Sequence, residues 1–224
     1  MKKIRSAVLF AALVLGLASC NQPMATISGE QDGHNYVDLG LPSGKMWATS
    51  NMGATSPEQL GDRYKWGHTT PTGEIKGSEE WTGYQWSRGT ESQLKITKYC
   101  NVKQRGDVDS LFHLELADDA ARANWGGLWR MPTREEVEEL KNGCDWEWCK
   151  NFEGTGIQGK LGTSKSNGNK IFFPFRENYV SFWTSTLNPD DCRKACYSRS
   201  LTHNMNSDVA PRKNSMEIRP VFAK

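Results

Sequence analysis

The stretch NWGGLWRMPTREEVEEL, residues 124–140, fixes where helix must stop and where it can start again. Gly126-Gly127 is a natural helix stop, because glycine takes the left-handed backbone of a helix end without a Cβ clash. Thr133, preceded by Pro132 and followed three residues later by Glu136, forms a capping box for a new helix. Glu135, Glu136, Glu138 and Glu139 crowd its first turns, where carboxylates suit the helix dipole. Val137, Leu140 and Cys144 follow at spacings of three and four, so one stripe packs inward. Upstream, LELADDAARANWGG (114–127) puts Leu116, Ala120 and Ala123 on one face of a second helix. Its neighbouring acids Asp118 and Asp119 point about 100° apart on such a helix, which reads as a solvated face and not as a paired acid site. Every residue type in 124–140 is thus explained by helix initiation and packing.

Around these two helices the chain consists of short extended pieces. Residues 36–54 read as two strands around the turn Leu41-Pro42-Ser43-Gly44. Ser56, with Pro57 and Gln59, predicts a short capped helix. Residues 67–107 form a long irregular excursion carrying Trp81, Tyr84 and Trp86. Its tryptophans are expected to pack it onto the domain, and stacking of Trp81 and Trp86 on a sugar ring is the alternative. GKLGTSKSNGNKIFFPF (159–175) predicts a hairpin around Asn167-Gly168. SFWTSTL, KACYSRSL and SMEIRPVF are strand-like, and Trp125, Trp129, Trp146, Trp148 and Trp183 read as core. Helices in the middle and strands mostly toward the end describe an α+β domain.

The N-terminus MKKIRSAVLFAALVLGLASC has a basic start, an apolar run from Ala7 to Leu17, and small residues before Cys20. That order matches a bacterial lipoprotein signal, with residues 1–19 removed and Cys20 acylated. More than one acyl chain makes such an anchor stable, so the expected partner at this end is a membrane, reached through the lipid. Outer-membrane attachment in the cell envelope follows, with palmitate-type acylation and either face of the membrane open. Residues 20–33 are polar and read as a tether, which leaves 34–224 as one domain. Removing Lys2, Lys3 and Arg5 lowers the 28 Lys+Arg to 25 against 26 Asp+Glu, so the mature chain is near neutral and nucleic acid is not an expected partner.

With Cys20 lipidated, Cys100, Cys144, Cys149, Cys192 and Cys196 remain. An exported compartment permits disulfides, but an odd count leaves one thiol over. Cys144 and Cys149 bracket DWEW, where either a local bridge or a small buried role for Cys144 fits. No spacing is C-x-x-C, and His34, His68, His113 and His203 lie far apart, so neither a metal nor another cofactor is expected.

The ordered set YVDLGLPSGKMWAT, GATSPEQLGDRYKWG, DDAARANWGGLWRMPTREEVEEL, CDWEW, SKSNGNKIFFP, FWTST and IRPV resembles the Fibrobacter succinogenes major paralogous domain family, found in Bacteroidetes lipoproteins, over residues 36–222. The resemblance implies a C-type-lectin-like fold, with two helices packed on a small twisted antiparallel sheet and long irregular loops. It also implies a variable contact face before the closing strand, here 187–214, with Asn188, Asp190, Asp191, Tyr197, Arg199, Asn204, Asn206 and Arg212 as contact residues. Where that family commonly has a cysteine after Tyr-x-Trp, this chain has Ser87, which leaves Cys100 without that partner; His68 stands where the family commonly has Glu.

Three functions follow as expectations. The first is a non-catalytic binding or structural domain on a lipid tether, its ligand a carbohydrate or a protein. The second is calcium-dependent sugar binding through Asn188-Pro189-Asp190, which is similar to a lectin ligand triplet. The third rests on RMPTREEVEEL, which resembles a segment of the formylglycine-generating enzyme family, copper oxidases that use two cysteines. Cys192 and Cys196 have the wrong spacing for it, since residues four apart in a strand lie about 13 Å from each other. The first is the expectation carried forward, and no catalytic residue is assigned.

Overall fold

A computed structural model of the chain describes residues 24–73, 79–177, 179–200 and 205–224. The first strands, β1 (Gly29–Gln31), β2 (His34–Asp38) and β3 (Lys45–Ala48), form an antiparallel meander. Short pieces follow: β4 (Tyr64–Lys65), β5 (Ser87–Arg88) and β6 (Lys95–Ile96). The helices α1 (Ala120–Trp125) and α2 (Arg134–Gly143) come next, and then the hairpin strands β7 (Cys144–Cys149), β8 (Gly159–Ser164) and β9 (Lys170–Pro174). β10 (Val180–Leu187), β11 (Lys194–Ser200) and β12 (Asn206–Pro211) make a second three-stranded sheet. β13 (Ser215–Met216) pairs with β4, and β14 (Val221–Ala223) returns to pair with β3, so the two ends of the domain share one sheet.

The expected α+β, lectin-like arrangement of two helices on one small sheet is overturned. Fourteen strands are distributed over five small sheets, at 35% strand against 13% helix, so the described chain is mostly β. Two physical reasons account for the difference. Asp119 does not sit inside a helix. It caps one, its Oδ1 accepting from the N–H groups of Ala121 (2.9 Å) and Arg122 (3.1 Å), so the expected long helix shrinks to the six residues of α1. Leu116 stays half exposed on the turn before it. The second reason is that two-residue strands such as β4, β5 and β13 are too short to show alternation in sequence, and tertiary pairing alone makes them strands.

Other expectations meet the structure unevenly. The capping box of α2 is complete, Thr133 and Glu136 each bonding the other's backbone N–H. That helix buries Val137 and Leu140 and packs on β10, β11 and β12, but it ends at Gly143, and Cys144 begins β7 instead of extending the stripe. Asn167-Gly168 joins β8 to β9, with Gly168 at φ +76°. No helix forms after Ser56; the Gln59 side chain instead accepts from the Thr55 N–H (2.9 Å) and closes a turn. The polar stretch read as tether is built into the domain from Ala25 onward: Thr26 exchanges bonds with Lys170, and β1 pairs with β2. Cys20 and Asn204 lie outside the described residues.

Two large apolar clusters divide the interior. One gathers the excursion, β4, α1 and one face of the β10–β12 sheet around Trp66, Tyr99 and Trp183. The other gathers β2, β3, β9, α2 and β14 around Trp47, Leu140 and Phe182. Trp129 and Trp183 are fully buried, whereas Trp125, Trp146 and Trp148 are half-buried at the edges. Among the described residues no helix is long and apolar enough to cross a membrane.

Candidate functional site

The expected contact face of 187–214 does not exist as one surface. Its residues fall at both ends of the sheet, some buried and some exposed. Arg212 is fully buried. Its Nε donates to the Tyr84 hydroxyl (3.0 Å), and Nη1 donates to the carbonyls of Lys98 (3.1 Å), Tyr99 (3.1 Å) and Cys192 (2.8 Å). The rings of Trp66, Tyr84, Trp86 and Tyr99 surround the guanidinium, the nearest centroid at 4.6 Å. Arg212 is therefore a strut between the excursion and the β10–β11 turn, not a contact residue. Asn188 is buried as well, and its Oδ1 accepts from the Asp190 N–H (3.2 Å). Asn-Pro-Asp is thus a side-chain-braced turn. Among the described residues no cluster of His, Cys, Asp or Glu is arranged to hold a metal.

Tyr197, Arg199 and Asn206 do come together, on β11 and the start of β12. Asp208, which the sequence reading omitted, pairs directly with Tyr197 across the strands and lies 3.7 Å from Arg199. Arg199 also leans over the Tyr179 ring at 5.8 Å, and only the rim of Tyr197 reaches solvent. These side chains largely satisfy one another.

Asp190 and Asp191 occupy the other end of the sheet, beside a cleft of about 280 Å³. Trp81 and Glu91 form one bank; Asp191, Arg193, Lys194, Pro211 and Lys213 form the other. Local chemistry sets each group. Asp191 accepts from the Arg193 backbone and receives its guanidinium in a two-pronged bond (2.9 and 2.7 Å), which holds the Asp191 carboxyl below its usual range. Lys194 pairs with Pro211 at the end of the sheet. In the turn just past β12, Arg212 points inward and Lys213 lines the cleft wall. Lys213, its side chain mostly buried, makes long ion pairs with Glu80 (3.8 Å) and Glu91 (3.9 Å), too long for close hydrogen bonds. Trp81 shows the cleft little more than an edge and rests on Tyr84, ring centroids 5.4 Å apart.

Of the contact residues expected in 187–214, only Asp191 lines this cleft, and Trp81, the alternative sugar-stacking residue, lines its other bank. Arg193, Lys194 and Lys213 were missed, although the basic pairs Arg193-Lys194 and Arg212-Lys213 are visible in the sequence and flank two adjoining strands. A second hollow of about 250 Å³, lined by His34, Thr49, Ser50, Thr55 and Trp125 among others, is partly closed by the His34 ring stacked on Trp125 at 3.7 Å.

The cysteine pairs read from sequence do not come together either. Cys144 and Cys149 end the same strand, about 17 Å apart at strand rise, which overturns a bridge between them. The Cys196 thiol points at the Leu187 carbonyl within the β10–β11 sheet, away from Cys192. Comparison of the chain with protein-family models, with characterised proteins and with solved structures finds no match.

Proposed function

We propose that this protein is a non-catalytic binding protein of the bacterial envelope, held by lipid on Cys20, that takes an anionic carbohydrate into the cleft beside Trp81. One observation carries the reading: Arg193, Lys194 and Lys213 converge there, and Lys213 meets Glu80 and Glu91 only at 3.8 and 3.9 Å. Cationic groups on one wall suit carboxylate or sulfate groups, and an indole edge beside them suits the apolar side of a sugar ring. The lipobox-like N-terminus and the resemblance to envelope lipoproteins support the location. The cleft is open to solvent, which favours a chain segment of polysaccharide over a deeply enclosed small molecule.

A glycan array probed with the full-length lipoprotein in detergent tests this. Uronate-bearing or sulfated glycans should bind, with or without calcium. Affinity should fall about tenfold on Lys213→Glu, a change of roughly 1.4 kcal/mol, and should weaken with added salt. Equal binding of neutral glycans, or indifference to Lys213→Glu, would sink the carbohydrate reading. Retention of an envelope protein in place of any glycan would move the contact to the Tyr197–Arg199 surface.

A further inference from the structure

Cys100 and Cys192 are distant in sequence and adjacent in space. Both are fully buried in the same apolar cluster, the only two cysteines of the described chain that share one. Their neighbourhood is fixed from several sides. The Arg212 Nη1 group donates to the carbonyls of Tyr99 and Cys192 at once, so it clamps the two chain segments together. The Asn101 side chain donates to the Pro189 carbonyl, tying the residue after Cys100 to the turn that carries Cys192. Asp109 receives the backbone N–H groups of Tyr99 (2.6 Å) and Cys100 (3.0 Å). Tyr99 is held at φ +57°, a conformation that a bulky residue adopts only when its surroundings impose it. Within this frame both thiols are free and buried, the Cys100 Sγ donating to the Val102 carbonyl (3.4 Å).

We infer that Cys100 and Cys192 form a disulfide in the mature protein, closing the loop of residues 101–191. The bond stitches the excursion to the β10–β11 turn. These are the two banks of the cleft, with Asp191 and Arg193 on either side of Cys192. The tie therefore preorganises the cleft as well as restricting the unfolded chain. Ser87, where the family resemblance leads one to look for a partner of Cys100, is already engaged: its hydroxyl donates to the carbonyls of Trp81 (3.0 Å) and Tyr84 (2.9 Å).

The chemistry is thiol–disulfide exchange with a disulfide oxidant of the export compartment. One of the two thiolates attacks a sulfur of the oxidant's disulfide and releases one oxidant thiol. The second thiolate attacks the sulfur so joined, forms the Cys100–Cys192 bond and releases the other oxidant thiol. Two electrons and two protons pass from the protein to the oxidant, which leaves as a dithiol. Burial pushes the Cys192 thiol up to about 12 in the folded protein, with its Cys100 neighbour adding to the shift. Exchange therefore belongs to folding, before the core excludes the oxidant.

The test is to refold the full chain in a mixture of oxidised and reduced glutathione, denature it with iodoacetamide present, and map the digest by mass spectrometry. The expected result is one cross-linked pair of peptides containing Cys100 and Cys192, with Cys144, Cys149 and Cys196 alkylated. In the same protocol Cys100→Ala should leave Cys192 alkylated. Alkylation of both Cys100 and Cys192 in the refolded wild type, or a cross-link of Cys100 to another cysteine, would overturn the inference. Because this readout uses neither an envelope nor a glycan, it succeeds or fails independently of the carbohydrate reading.

Discussion

Arg212 and Arg219 lie on the same terminal stretch, are both fully buried, and among the described residues meet no carboxylate. Arg212 uses all three of its nitrogens, on the Tyr84 hydroxyl and the carbonyls of Lys98, Tyr99 and Cys192, inside four aromatic rings. Arg219 reaches the Asn51 amide oxygen (2.8 Å) and the carbonyls of Ala48 (3.2 Å) and Thr49 (2.8 Å) over the Phe173 ring, but its Nη2 has no partner. Burial pushes the Arg219 guanidinium down to about 9. The contrast separates two uses of a buried cation. Arg212 joins segments far apart in sequence and so assembles the cleft, whereas Arg219 seals the exit of β3 against the last strand.

The largest effect should come from breaking the first. Arg212→Met removes every donor at once and strands four acceptors in a dry site, so urea unfolding should show a loss of about 4 kcal/mol. Arg212→Lys should recover little, because one ammonium cannot replace a planar fork of donors spread over several carbonyls. Arg219→Met should cost less, about 2 kcal/mol, since it also relieves an unpaired buried Nη2 and places an apolar chain over Phe173. Equal losses for the two Met variants would show that cage completeness does not set the cost. The glycan affinity of surviving protein sharpens the division, for it should fall with Arg212→Met and hold with Arg219→Met.

What the sequence made legible was local. Thr133 with Glu136, and Asn167-Gly168, each complete their chemistry within a few residues, and the structure places both as expected. The aromatics of the excursion also announced its docking, because Trp and Tyr in so irregular a segment have few other ways to leave water. Asp119 misled because its partners include the Met131 N–H (2.8 Å) beyond the glycine pair, a bond that no helical pattern contains. Arg212 misled for the same reason: a charged residue in a polar stretch looks solvated until carbonyls and rings distant in sequence close around it. Lys213, its neighbour, is the one that reaches the cleft wall, and it is itself half-buried. The Cys100–Cys192 contact was illegible altogether, since it depends on how an irregular segment folds back onto a turn. The fourteen-strand architecture was hidden likewise, because two-residue strands carry no period.

The smallest effect tests whether the Arg212 cage has an electrostatic reach. The His68 ring packs on Tyr84, the outer wall of the cage, at 5.2 Å, and its Nε2 faces the Gln85 N–H at 3.5 Å, which favours the unprotonated ring. Burial first, then the positive charges of Lys65 and Arg212, lower its pKa from 6.5 to about 4. Between these values the unfolded chain binds a proton that the folded protein refuses, so stability falls as the pH drops from 6.5 toward 4. His68 is partly exposed, and solvent screening discounts the effect to ~1 kcal/mol. His68→Gln should flatten that part of the stability curve, measured by urea unfolding at a series of pH values. Arg212→Lys retains the charge and should leave the slope as it is, whereas Arg212→Met removes a repelling cation and should make it shallower. Arg219→Met, in the other cluster, should leave it unchanged. A slope altered equally by both Met variants would mean that the two buried cations act on the whole domain and not each on its own neighbours.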